Sequence, residues 1–105
     1  MTQMANTPKP PYYAVIFTSL ASEIDDSYVE TSNQMLALAQ QMSGYLGVES
    51  ARQDLGITVS YWRDLESIKQ WKNHKEHLAA QQIGKQKWYS SYAVRIAKVE
   101  RDYEF

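Results

Sequence analysis

The chain of 105 residues contains no cysteine, only three prolines and a net charge of -1. Without thiols it has no disulfide, no thiolate metal site and no cysteine nucleophile, which fits a reducing compartment. Its three prolines all lie before residue 12. Lys and Arg number 11 against 12 Asp and Glu, so no excess of positive charge attracts nucleic acid or anionic lipid.

Long apolar runs are missing as well. No stretch approaches the roughly 18–20 apolar residues that a membrane-spanning helix needs, and the N-terminus lacks the pattern of a secretory signal. We therefore expect a cytoplasmic protein with no membrane partner. The length fits one domain. We predict a flexible or extended arm over residues 1–11, which could also cross onto a partner subunit, and a single domain over residues 12–105.

Hydrophobic periodicity predicts six elements in the order β-α-β-β-α-β. The first three are a strand over 12–19, a helix from about 25 to 42 that Gly44 closes, and a strand over 45–52. A turn at 53–56 joins this strand to the next, over 57–62. The second helix starts at 64, is interrupted at 73–75 and continues to about 89, and the last strand covers 92–101. Gly84 lies inside the second helical pattern and predicts a bend or a close backbone approach.

This order is typical of the ferredoxin-like, split βαβ class of α+β folds, with a four-stranded antiparallel sheet. Two helices cover one face of such a sheet. The other face still carries apolar side chains, because both faces of the first strand are apolar, as Val15 and Ile16 show. A large exposed apolar face is not a stable monomer surface. We therefore expect a homodimer that pairs two sheets face to face.

Three segments resemble the antibiotic biosynthesis monooxygenase domain family. The first is the turn and strand from Gly44 to Ser50, and Ser43 stands before it where the family pattern often has proline. The second is the strand and helix over residues 59–71. The third is a W-x2-H-x2-H-x3-Q run from Trp71 to Gln81. The resemblance covers about residues 12–101. It implies a dimeric α+β barrel. It also implies one of several activities: cofactor-independent oxidation of polycyclic aromatics with O2, haem degradation, or no established reaction.

The candidate catalytic residues are Trp71, His74 and His77, which follow one another at intervals of three along the second helical pattern. Such spacing lets them line one wall of a pocket between helix and sheet. The resemblance implies that Trp71 lines the active-site cavity. His77 is a candidate general base. The alternatives are core packing for Trp71, a structural hydrogen bond or a surface position for His77, and a helix cap or loop position for His74.

The candidate substrate-binding residues are Tyr61, Trp88, Gln81 and Arg95. Aromatic side chains such as Tyr61 and Trp88 could wall an apolar cavity, and Arg95 could offset the charge of a bound anion. Because Tyr61 and Trp62 are consecutive in a strand, only one of them can face that cavity. Sheet pairing is expected to bury one of the two.

No metal site is predicted, because the two histidines have no third ligand at a suitable spacing. In the haem-degrading branch of the resembled family, the proximal histidine follows the tryptophan by about ten residues. Gln81 holds that position here, and an amide is not a good iron ligand. Haem binding through His77, one helical turn earlier, stays open. Otherwise no bound cofactor is expected, since no dinucleotide fingerprint or phosphate loop is present.

The leading hypothesis is a cofactor-independent monooxygenase that oxidises a small aromatic or quinol-like compound with O2. His77 would deprotonate the substrate, and its anion would donate an electron to O2. The alternatives are a dimer that binds a small molecule without turning it over, and a haem-binding relative. An RNA-recognition module shares the element order, but the basic and aromatic sequence run of that module is absent.

Overall fold

A computed structural model describes residues 3–21 and 25–105 of the chain. Met1 and Thr2, the first residues of the predicted arm, lie outside the described residues. Within the described part, the secondary structure comprises β1 (Tyr12–Ala21), α1 (Asp26–Gln41), β2 (Tyr45–Arg52), β3 (Leu55–Trp62), α2 (Leu65–Lys72), α3 (Lys75–Ile83), a π-helical turn (Gly84–Trp88) and β4 (Tyr89–Val99). No helix in these two ranges is long and apolar enough to span a bilayer.

The four strands form one antiparallel sheet in the order β2-β3-β1-β4. The two central strands are β1 and β3, and Tyr13 lies directly opposite Trp62 across them. Residues that lie opposite each other share a face, so Tyr13, Val15 and Trp62 all point toward the helices. This arrangement confirms the predicted ferredoxin-like α+β fold.

The core forms around Trp62, which is fully buried at the end of β3. Ala39 of α1 and Ile68 of α2 are the other buried members of this cluster. Partly buried side chains pack around them, namely Tyr13, Val15, Met42, Tyr45 and Trp71. Burial of a large indole contributes strongly to folding, and here it joins both covering helices to the sheet.

The ends of α1 follow the sequence signals. The Asp25 carboxylate accepts the Tyr28 backbone N–H at 3.0 Å, as an N-cap residue does. The helix ends at Gln41, and Gly44 then adopts a φ of +88°, which side chains other than glycine rarely tolerate. Its carbonyl accepts the Arg63 N–H at 2.8 Å, so this turn also ties the start of β2 to the end of β3.

The predicted break in the second helical region is present. Asp64 caps α2 by accepting the Ser67 N–H at 2.8 Å, and the helix ends at Lys72. His74 then caps α3, because its Nδ1 accepts the Glu76 N–H at 3.3 Å. Two short helices therefore replace one long helix, and the direction of the chain changes at residues 73 and 74.

The prediction that helix continues to Tyr89 is wrong. The α-helix ends at Ile83 and is followed by the π-helical turn, and Tyr89 already belongs to β4, where it pairs with Ala21. The predicted close approach at Gly84 is confirmed, since a Cβ there would lie 2.9 Å from the Tyr89 ring. The sequence keeps the hydrophobic period of a helix through residue 88. Residue 89 nevertheless belongs to the sheet, because pairing with β1 satisfies its backbone N–H and C=O groups.

Two further differences concern β2 and β3. The hairpin turn is shorter than predicted, because Leu55 and Gly56 are already part of β3. A bulge lies between Tyr45 and Gly47, so Leu46 breaks the strict alternation predicted for β2. As a result Tyr45 lies opposite Trp62 on the helix face, while Gly47 lies opposite Tyr61 on the other face.

The sheet face opposite the helices, called the open face below, carries exposed apolar side chains. Leu20, Leu55 and Ile57 are 45%, 49% and 42% exposed there. Part of the open face is covered by the described N-terminal residues 3–11, because the Ala5 N–H donates to the Glu49 carboxylate at 3.0 Å. The boundary between arm and domain at residue 11 stays a prediction.

Replacing Gly44 should lower stability. We expect Gly44→Ala to reduce the free energy of unfolding by about 1–3 kcal/mol, because alanine disfavours positive φ and its Cβ would overlap the Ser67 side chain. Urea unfolding followed by circular dichroism measures the change. The neighbouring variant Ser43→Ala removes only an exposed hydrogen bond from Arg63 and serves as the control. Equal stability of the two variants would contradict the assigned backbone conformation.

Candidate active site

Four planar side chains form a continuous series of ring contacts beneath and beside α2, called the ring stack below. Trp71 lies nearly parallel to Trp62, with ring centroids 6.0 Å apart, and nearly parallel to His77, with centroids 4.3 Å apart. Tyr45 meets the Trp62 ring edge-on at 5.7 Å. The stack extends from the fully buried core to α3, so the position of His77 depends on the packing of the core.

The Trp71 ring already has two nearly parallel neighbours. Interplanar angles are 25° with Trp62 and 16° with His77. A substrate would therefore meet the ring stack at its edge, or at the outer face of His77, rather than insert on Trp71. The expectation that Trp71 lines a substrate cavity stays a prediction.

The hydrogen bonds of His77 define its tautomer. Its Nδ1 lies 3.0 Å from the Trp71 carbonyl oxygen, and a carbonyl can only accept, so Nδ1 carries the proton and donates it. The Gln81 amide lies 3.4 Å from the same nitrogen. Nε2 is then the ring nitrogen with a free lone pair, which is the atom that a general base uses.

The environment of His77 keeps the imidazole neutral. Burial lowers the pKa of His77 below its ordinary value of 6.5, and the nearby His74 adds to the lowering. Hydrogen bonds to the backbone of Trp71 and Lys72 act in the opposite direction without cancelling the effect. His77 is therefore uncharged near neutral pH, and its Nε2 can accept a proton.

His74 has a structural role in this arrangement. It caps α3 through Nδ1, and its ring centroid lies 6.0 Å from that of Trp71 at an angle of 38°. Its backbone N–H also donates to the Trp71 carbonyl at 3.1 Å. The helix-cap alternative is therefore the one that its geometry supports.

Gln81 contacts His77 and so belongs to the same site, one helical turn further along α3. An iron-ligand set that takes imidazole from position 81 does not fit these residues, because the amide is a poor iron ligand. Among residues 3–21 and 25–105, no group of three or more carboxylate or imidazole side chains is placed to hold a metal ion.

Two predicted substrate-binding residues lie on the opposite face of the sheet. Tyr61 is on the open face, where its hydroxyl donates to Glu49 at 2.7 Å, and burial together with this carboxylate raises its pKa to about 12. Arg95 is exposed and lies opposite Ile16 on the open face. The structure brings neither of them to the ring stack. Helices, not a second sheet, bury Trp62.

Trp88 belongs to a different group of rings. It is 3% exposed and meets Tyr28 edge-on at 5.3 Å, and Tyr28 in turn meets Tyr89 at 6.0 Å. It is the last residue of the π-helical turn and is buried there. The structure places Trp88 with Tyr28 rather than in the ring stack, and a role for Trp88 in substrate binding stays a prediction.

Sequence reasoning did not assign Tyr45 and Trp62 to the site. The available signal for Trp62 was its place one residue after Tyr61, which put it on the alternate face. No comparable signal existed for Tyr45. Strict alternation would put Tyr45 and Val48 on opposite faces of the sheet, and only the bulge brings them to the same face.

The amino-acid sequence is similar to a known family and to a curated protein. The sequence profile of a family described as antibiotic biosynthesis monooxygenase matches residues 11–83. A curated Bacillus subtilis (strain 168) protein, named uncharacterized protein YqjZ, is 52% identical over 103 residues, which span 96% of this chain and 90% of that protein. The family resemblance inferred from the three sequence segments is thereby confirmed.

Solved structures share the fold at low sequence identity. SnoaB from Streptomyces nogalater, described as a cofactor-independent oxygenase, is similar with a TM-score of 0.75 and 7% identity, over 89% of this chain and 97% of that one. Rv0793 from Mycobacterium tuberculosis is similar with a TM-score of 0.75 and 10% identity, over 89% of this chain and 99% of that one. These likenesses concern the fold alone.

The lowered pKa of His77 should appear in the pH dependence of stability. Because the unfolded chain binds a proton at His77 more readily than the folded chain, the contribution of His77 to stability is complete above pH 6.5 and declines as the pH falls below it. We expect the free energy of unfolding to fall more between pH 7 and about pH 5 in the wild type than in His77→Gln. Equal falls in both proteins, measured by urea unfolding, would contradict the burial of a neutral imidazole.

Proposed function

The chain belongs to the antibiotic biosynthesis monooxygenase family, and on this basis we propose that it oxidises a small aromatic or quinol-like compound with O2 and without a bound cofactor. The observation that carries the proposal is the state of His77. Its Nδ1–H is held by the Trp71 carbonyl and its pKa is lowered, so Nε2 is an unprotonated base beside an aromatic wall.

The proposed reaction begins with proton transfer from a substrate hydroxyl, or from the carbon acid tautomeric with it, to Nε2 of His77. The resulting anion transfers one electron to O2, and the radical pair combines to form a C–O bond. The peroxide takes the proton back from His77. Loss of water then leaves a carbonyl, so one oxygen atom enters the product and the other leaves as water.

The pKa of His77 restricts the substrate. A simple phenol has a pKa near 10, as tyrosine does, whereas the pKa of His77 lies below 6.5. Complete proton transfer from a simple phenol would cost about 5 kcal/mol or more. We therefore infer a more acidic substrate, such as a polycyclic phenol whose anion is delocalised into a carbonyl.

A second candidate is a dimer that binds such a compound without turning it over. The observation in its favour is that two nearly parallel rings already flank Trp71, which leaves little of its surface for a substrate. Oxygen uptake separates the two candidates. A cytoplasmic location stays a prediction from composition.

Oxygen consumption with a hydroxyanthrone and with a naphthohydroquinone tests the proposal, after subtraction of the rate without protein. We expect His77→Gln to lower the catalysed rate about 100-fold or more, the usual contribution of a general base. Trp71→Phe should also lower it, because the smaller ring loosens the position of His77. The control His74→Asn, which keeps a helix-capping side chain, should stay within about threefold of the wild type.

Unchanged oxygen consumption in both His77→Gln and Trp71→Phe would contradict the proposed mechanism. Saturable binding of the two compounds without any oxygen consumption by the wild type would instead favour the second candidate. Titration with haemin, followed by absorbance, provides the remaining check. A saturable shift that is lost in His77→Gln would support a haem-binding relative.

We further propose that the protein is a homodimer paired through the open face. The exposed side chains of Leu20, Leu55 and Ile57 support this, since burying them against a second copy removes apolar surface from water. The small aromatic compound is the other partner proposed, and neither nucleic acid nor membrane is expected.

Sedimentation velocity tests the pairing. The wild type should sediment with twice the 12.1 kDa mass of one chain. Ile57→Lys places a charge on the open face and should shift the protein toward monomer. Val29→Lys, at a similarly exposed apolar position on α1, should leave the mass unchanged. A monomeric wild type, or identical behaviour of the two variants, would contradict pairing through this face.

A further inference from the structure

A row of residues that crosses all four strands lies at the far end of the helix-facing side of the sheet. Arg52 of β2 lies opposite Gly56 of β3, which lies opposite Ser19 of β1, which lies opposite Tyr92 of β4. Ser19 is six residues from Tyr13 along β1, a distance of about 20 Å, so this row is remote from the ring stack.

The guanidinium of Arg52 reaches across β3 because Gly56 has no side chain. A Cβ at residue 56 would overlap the guanidinium carbon and nitrogens of Arg52. With this space free, Nη2 of Arg52 donates a hydrogen bond to the Ser19 hydroxyl, and Ser19 is itself only 2% exposed. The sequence of β3 thus places a positive charge over the centre of the sheet.

One nitrogen of this guanidinium has no hydrogen-bond partner among the residues that the structure describes. Nη1 of Arg52 is buried and makes no hydrogen bond, and in residues 3–21 and 25–105 the ion pairs identified involve Arg63 and Lys87 rather than Arg52. Arginine stays charged in proteins, and a buried charged donor without an acceptor is unfavourable. An acceptor bound at this nitrogen would remove that cost.

A group of aromatic rings lies beside this donor. The Arg52 guanidinium lies 5.8 Å from the centroid of the Tyr89 ring, and Phe17 packs against Tyr89 at 5.4 Å and against Tyr92 at 5.2 Å. The surroundings therefore suit the flat apolar body of a ligand whose charged group reaches Nη1.

We propose that Arg52, Ser19 and the rings of Phe17, Tyr89 and Tyr92 form a binding site for an aromatic carboxylate, separate from the ring stack. A carboxylate matches a single free guanidinium nitrogen, because it carries one charge and accepts charge-assisted hydrogen bonds in the guanidinium plane. A phosphate dianion carries a second charge, and Arg52 is the one cationic side chain of this row.

Calorimetric titration of the full chain with 2-naphthoate and with the uncharged 2-naphthalenemethanol tests the site. We expect the wild type to bind naphthoate saturably, and the alcohol much more weakly, because the alcohol has no charge to pair with Arg52. Arg52→Gln should weaken naphthoate binding about thirtyfold or more, the usual effect of removing one partner of a buried charge pair.

Gly56→Ala provides a second variant that keeps the charge. Its φ is not positive and the obstacle to the new Cβ is the end of a flexible side chain, so the fold should persist while the guanidinium is displaced. We expect it to weaken naphthoate binding as Arg52→Gln does. Arg95→Gln, which removes an exposed arginine of the open face, is the matched control and should not change the affinity.

The proposal would be overturned by equal binding of acid and alcohol, by the absence of saturable naphthoate binding, or by Gly56→Ala and Arg52→Gln variants that bind as the wild type does. Circular dichroism confirms that each variant is folded, and Gly56→Ala retains the test if Arg52→Gln does not fold. Trp71→Phe should leave naphthoate binding unchanged, so failure of the oxidation proposed above and failure of this site are distinguishable.

Discussion

The burial of Trp62 is the constraint on which the rest of the structure depends. This one side chain, at the end of a central strand, shares a buried cluster with Ala39 of α1 and Ile68 of α2 and lies nearly parallel to the Trp71 ring. Removing a buried indole typically costs about 3–5 kcal/mol, a large part of the roughly 5–15 kcal/mol by which a domain is stable. The candidate site is therefore an extension of the core, and His77 is placed by the same packing that folds the chain.

The break between α2 and α3 determines which nitrogen of His77 carries the proton. In an unbroken helix the Trp71 carbonyl would accept the backbone N–H four residues later. Here it accepts the His74 N–H and the Nδ1–H of His77. A backbone group left over at a helix end thus fixes the proton on one nitrogen of His77. Burial then keeps the other nitrogen unprotonated near neutral pH.

The two faces of the sheet carry different sets of side chains. The helix face carries the ring stack at one end and the Arg52 row at the other, so both candidate binding regions lie on the covered side. The open face carries exposed Leu55 and Ile57 together with Tyr61, whose hydroxyl is committed to Glu49. Both proposed ligand sites therefore use the helix side, and the proposed pairing of two chains uses the open side.

The sequence by itself determined the element order, the caps at Asp25 and Asp64, the glycine at position 44 and the family, because these depend on local spacing and on side chains that act on their own backbone. It also placed Trp71, His74, His77 and Gln81 in one short run, since they lie within eleven residues of one another. It did not determine where α3 gives way to β4, because pairing of Tyr89 with Ala21 overrides helical periodicity.

Only the tertiary structure decided which aromatic residues share a site. Tyr61 and Arg95 lie on the open face because of strand register, and the bulge in β2 brings Tyr45 to the helix face. The position of Arg52 over Gly56 is likewise a matter of register between strands. Such cross-strand relations depend on pairing between residues far apart in the chain, and no local pattern of residues encodes them.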